Sequence, residues 1–169
     1  MESRDLLLTA FDNVEDAVRG AVEGIDPVLL TARVDPQANT IAWLVWHLTR
    51  VQDDHVAEVA GQPQAWTADG WADRFALPFD EAETGYGASS ADVAAVRVDD
   101  PGLLLGYHAE VHRRTAEFVA TVRADDLDRV VDTRWDPPVT LGVRLVSVVT
   151  DDLQHAGQAA LLRGVLERR

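Results

Sequence analysis

Apolar residues recur at intervals of three and four through four separate stretches of the chain, and this helical period limits the fold more than any other feature. In the first stretch, residues 4–23, Leu7, Phe11, Val14, Val18 and Val22 share one side, with Ser3 placed to cap. Gly24 and Asp26-Pro27 interrupt the pattern, and a short helical turn is expected through Leu30 before the break at Asp35-Pro36. A second helix is expected to open after Asn39 or Thr40 and to reach about Ala60. Its start, Ile41 to Leu48, is apolar nearly all round, as in a buried segment. Asp99-Asp100-Pro101 begins a third helix running to about Arg123. Thr140 caps the last, whose stripe is Leu141, Leu145, Val148, Ala159, Leu162 and Leu166.

One short and two longer connections between four long helices predict an all-α four-helix bundle, a single domain over residues 1–169. The connection over residues 61–99 has no period, and a stretch this long is often functional. Two readings fit it. It is a flap in which Trp66, Trp71 and Phe75 cover a pocket, or a crossover that packs its aromatics on the bundle. In the next connection, Arg129-Val130-Val131-Asp132 leaves room for a small hairpin.

The surface chemistry is lopsided: 29 acidic residues stand against 15 basic ones, giving a formal net charge of -14. Such a surface repels phosphate backbones and anionic lipid heads, which argues against nucleic-acid and membrane partners. No long apolar run exists, and Met1-Glu2-Ser3-Arg4-Asp5 lacks the basic start of a signal peptide, so the expected location is the cytoplasm. The chain has no cysteine, so any sulfur chemistry must use a substrate's sulfur.

The histidines carry the chemical signal. With Val148 at zero on the last helix, His155 falls at about -20°, Asp151 at about -60° and Asp152 at about 40°, all within or beside the apolar stripe. Trp43, His47, Val51 and Asp54 share a side of the second helix, and His108 and His112 face inward on the third. A buried carboxylate without a partner is costly, and a cation between the helices would answer the problem for Asp151, His155 and His47 together. Two ligands four apart plus a third from a facing helix leave coordination open for water or substrate, as in catalytic zinc sites. Either Asp151 or Asp152 could be the acid. His108 and His112 are open to three roles: ligands, second-sphere donors that carry protons, or packing residues. Asp53 and Asp54 read as solvent-side charges, with Asp54 also able to orient an imidazole. Arg144 and Arg163 read as outer-face charges or as anchors for a substrate carboxylate.

The segments Asn39 to Leu48, Trp66 to Tyr86, Trp135 to Gly142 and Asp151 to Gln158 resemble the actinobacterial branch of the DinB-like superfamily, including its mycothiol-dependent enzymes and the N-terminal part of mycothiol-dependent maleylpyruvate isomerase. The resemblance covers nearly the whole chain. It implies an up-down-down-up bundle, often dimeric, that holds a divalent ion, zinc first and nickel second, through residues matching His47, Asp151 and His155. Asp151 stands where the superfamily often has His and the isomerase Glu. The resemblance further implies a transferase joining a low-molecular-weight thiol to a small electrophile, and a possible homodimer. In such a reaction His108 or His112 is expected to take the thiol proton, because an imidazole is the usual side chain that exchanges protons near pH 7. Two rival readings are a non-catalytic metal- or ligand-binding bundle and a metal-dependent isomerase or hydrolase.

Overall fold

A computed structural model describes residues 2–169 and contains the four long helices: α1 (Ser3–Val22), α3 (Ile41–Ala60), α7 (Pro101–Thr121) and α8 (Leu141–Leu166). Short helices fill the connections: α2 (Pro27–Leu30), α4 (Ala65–Ala68), α5 (Trp71–Phe75) and α6 (Ser90–Ala95). The ends follow capping chemistry. Thr40 Oγ1 accepts from the Trp43 amide at 3.1 Å, Asp100 caps α7 ahead of Pro101, and Gly61 closes α3 in the left-handed region at φ 64. Glu2, rather than Ser3, caps α1, because its carboxylate and that of Asp5 form a reciprocal capping box.

Side-chain contacts give the helix directions. Arg163 near the end of α8 donates to Gly20 O and Glu23 O at the end of α1, so these two helices are parallel. His47 meets His155 while His55, further along α3, meets Arg144, earlier on α8, so α3 and α8 are antiparallel. Thr49 pairs with His108 and Gln52 with Thr115, so α3 and α7 are parallel. The result is the up-down-down-up bundle. The hairpin also exists, as β1 (Val130–Asp132) paired antiparallel with β2 (Val139–Thr140). The sequence's two architectural alternatives therefore coexist, since the hairpin lies in a connection and leaves the helices undisturbed.

The core runs along the inner stripes, with Phe11, Val14, Leu44, Leu48, Leu104, Leu145 and Val148 almost fully buried. No helix among the described residues is long and apolar enough to cross a membrane.

Candidate metal centre

His47 on α3 and Asp151 and His155 on α8 each offer a ligand atom, and these atoms lie within 4.8 Å of one another. The one-turn spacing on α8 stacks Asp151 and His155, and the antiparallel approach of α3 brings His47 opposite them. The two imidazole centroids are 5.0 Å apart at 72°, and Trp43, one turn before His47, stacks on its ring at 4.7 Å. Zinc bonds of about 2.1 Å set tetrahedral ligand atoms roughly 3.4 Å apart, so small side-chain rotations close the triad around an ion.

Each ring is aimed by a bond on its far nitrogen. His47 Nδ1 donates to Thr84 O at 2.6 Å, and His155 Nδ1 donates to Gln158 Oε1 at 3.1 Å. Those bonds assign the proton to Nδ1 and leave Nε2 with its lone pair free, the tautomer a metal ligand needs. Burial is the largest influence on His47 and pushes its pKa below the ordinary 6.5, with the Thr84 carbonyl opposing, so the ring is neutral at pH 7. Asp151 Oδ2 is shielded from solvent and has no hydrogen-bond partner. A carboxylate without a hydrogen-bond partner on one oxygen, beside two imidazoles, is a donor set suited to a divalent cation.

The aperiodic connection supplies the anchor on His47. Glu83 Oε1 accepts from the amides of Thr84 and Gly85, and Gly85, at φ +89, passes so close that an added Cβ would lie 2.9 Å from His47 Nδ1 and from the Trp46 ring. Fully buried Arg50 ties this segment to α3 by donating to Glu81 O, Glu83 O and Gln64 Oε1.

His47 and Asp151 lie at one end of a cleft of about 730 Å³ between α3 and α8, a size suited to a small organic ligand. At the other end Asp132 Oδ2 accepts from Arg134 and Arg144, and Arg144 donates to His55 Nδ1 at 2.6 Å. His55 is neutral at pH 7, its pKa lowered first by burial and then by Arg144. Tyr86 and Trp135, 91% and 65% exposed, stand at the rim.

A model of the mycothiol-S-transferase family matches residues 6–168. The chain belongs to that family. The crystal structure of a conserved protein from Enterococcus faecalis is similar to this mycothiol-S-transferase family member at 26% identity and a TM-score of 0.92, with 100% of this chain and 99% of that one covered. No curated protein matches the sequence.

Other expected site residues of this family member fall elsewhere. Asp152, the acid that projection places slightly further inward than Asp151, is fully buried on α8, but its oxygens are outside the ligand cluster and unpartnered, and burial raises its pKa well above the carboxylate range. His108 is buried on α7 with Nδ1 against Thr49 Oγ1 at 3.2 Å, and His112 Nε2 faces Asp12 and Glu15 of α1 at 3.2 and 3.3 Å. Neither lines the cleft. Trp66, Trp71 and Phe75 do not cover it either, but pack around Tyr107; the connection's contribution is Thr84 and Tyr86. Asp53 is no solvent-side charge: it is buried and accepts from the amides of Ala65 and Trp66 and from the Tyr107 hydroxyl, capping α4. Arg144 is buried in the cleft wall rather than on an outer face. Its capture by Asp132 depends on the hairpin, which the sequence offered only as an alternative.

Proposed function

We propose that this protein is a divalent-metal-dependent transferase that joins a low-molecular-weight, mycothiol-like thiol to a small electrophile. The observation that carries this reading is the His47, Asp151 and His155 cluster at the end of an open cleft, in a chain matched almost end to end by the mycothiol-S-transferase model. Those three residues would hold the ion, zinc by preference and nickel as the alternative, since imidazole and carboxylate ligands suit both. Such an ion supplies the Lewis acidity that keeps a thiol deprotonated near neutral pH. The thiol's sulfur then forms a bond to the electrophilic carbon, the leaving group departs with its electron pair, and the thiol proton passes to solvent.

The protein's own groups do the positioning. Thr84 O and Gln158 Oε1 aim the rings, and the cleft brings thiol and electrophile together. For His108 and His112 the proposal is a role at one remove from the reacting atoms. His108 holds Thr49, two residues from His47, and His112 meets the α1 carboxylates.

The test is metal analysis of untagged protein, followed by thiol consumption with mycothiol and a bimane electrophile. Turnover that needs both ion and thiol, and that falls at least a hundredfold in folded His47→Ala and His155→Ala proteins, is the expected result. Tight metal binding without turnover would point to a non-catalytic binder, and turnover without thiol to an isomerase or hydrolase.

A further inference from the structure

Of the imidazoles lining the cleft, His47 belongs to the metal cluster and His55 does not. His47, Val51 and His55 follow one another a turn apart on one side of α3, so His55 stands about 12 Å along the helix axis from His47, at 1.5 Å per residue. Its ring is held by a guanidinium. Arg144 Nη1 lies 2.6 Å from His55 Nδ1, and Asp132 Oδ2 of the hairpin accepts from Arg144 Nη2 at 3.1 Å.

A guanidinium only donates, so His55 Nδ1 is the acceptor and the ring's proton is on Nε2. That is the reverse of His47, whose Nδ1 donates and whose Nε2 keeps the lone pair. A second proton on His55 would have to enter at the nitrogen that Arg144 occupies, so the ring stays neutral while the pair is intact. Among the described residues no acceptor takes the Nε2–H. Asp54, the neighbouring carboxylate, has Oδ2 at 3.6 Å from Nδ1, and its Oδ1 accepts from Gln64 Nε2 at 2.7 Å. Donors beside the ring are spent within the protein: Arg144 uses both terminal nitrogens, and Ser147 Oγ donates to Arg144 O at 2.8 Å. The His55 side chain, 35% exposed, therefore brings a neutral, aimed and unspent N–H to the cleft.

We infer that His55 Nε2–H hydrogen-bonds the oxygen of the electrophile, and that the electrophile is one whose breaking bond leaves charge on oxygen, an epoxide being the simplest case. This role rests on the transferase reading above and deepens it. The substrate lies along the cleft with its electrophilic carbon toward the His47 and Asp151 end and its oxygen toward His55. The thiolate sulfur supplies the electron pair of the new C–S bond, and the C–O pair moves onto oxygen. The alkoxide takes a proton from water, matching the one the thiol gave up to solvent, while Nε2 keeps its own. A fixed donor gains strength as charge grows on the oxygen, so it lowers the barrier more than it tightens ground-state binding. Arg144 is a positioning residue here: it fixes the tautomer of His55, and Asp132 holds Arg144 in place.

The test compares two electrophiles, with mycothiol as the thiol, in the metal-loaded protein. Charge develops on oxygen in styrene oxide, whereas monobromobimane loses bromide, a weak hydrogen-bond acceptor. His55→Ala is expected to lose about a hundredfold in kcat on styrene oxide, the cost of one such donor, with KM and zinc content unchanged. On monobromobimane the loss should stay below about twofold. His55→Gln, which keeps an N–H, should recover part of the activity on styrene oxide. Apart from turnover, long-range proton–nitrogen NMR of the wild type at pH 7 should show His55 protonated on Nε2 alone, and Arg144→Met should show both tautomers. Turnover of bimane without turnover of styrene oxide, equal losses on the two electrophiles, or a proton on His55 Nδ1 would overturn the role of His55 and leave the transferase reading standing. No turnover with either electrophile would overturn both.

Discussion

His108 shows how a single buried ring shapes the protein's response to acid. Burial, and secondarily the neighbouring His112, lowers its pKa from 6.5 to about 3. The folded protein refuses a proton that the unfolded chain accepts. Stability from the neutral ring is therefore complete above pH 6.5 and falls by about 1.4 kcal/mol per unit as pH drops toward 3. His47 and His55, also lowered, add to the same acid limb with the same sign. His108→Gln is expected to flatten that limb, so that the stability of the wild type relative to the variant decreases as pH falls from 7 to 4. Urea unfolding in chelator-containing buffer across this range measures it. The inward direction of His108, like that of His47 and His155, was legible in the helical period. The partner atoms were not. Periodicity gives the side of a helix but not which of two adjacent acids reaches a neighbour, and it ranked Asp152 above Asp151. The long helices and the caps of α3, α7 and α8 were equally legible, because Thr40, Asp100 and Thr140 precede apolar runs.

The element that escaped the sequence is the α3–α7 connection, because its geometry depends on backbone carbonyls and one glycine rather than on a repeating pattern. Thr84 O aims His47, and Arg50 holds the segment in place from within the core. Two consequences belong at this scale. Gly85→Ala must push the segment off His47 and Trp46 and also strain a left-handed backbone, so it should lower metal affinity at least tenfold while the helices persist. Titration with a zinc indicator, beside circular dichroism, separates those effects. Arg50→Met removes the donor to Glu81 O, Glu83 O and Gln64 Oε1, and strips buried Asp53 of a guanidinium 3.9 Å away. Breaking a buried charge pair costs about 3–5 kcal/mol, so Arg50→Met is expected to lose that much in chemical denaturation, and zinc affinity with it.

Across the whole molecule, the three candidate ligands come from only two of the four helices, α3 and α8, at a level where they run antiparallel. These helices are not neighbours in sequence, since α7 and two long connections separate them. An ion held there would bind the folded bundle and have no preformed counterpart in the unfolded chain, so its binding energy would add to folding. At a free zinc concentration a thousand times the dissociation constant, the unfolding free energy should rise by about 4 kcal/mol. A gain near 4 kcal/mol raises the melting temperature of a domain this size by roughly 8–16 °C. The rise should vanish in His47→Ala and His155→Ala and reverse with chelator. It should survive Leu153→Glu, whose side chain faces outward from the bundle. Calorimetry on these four proteins with and without zinc therefore measures whether the shift follows the inner face of α8. A zinc-dependent shift that persisted without His155 would place the ion elsewhere, since Asp151 and His47 alone leave too few ligands to hold it.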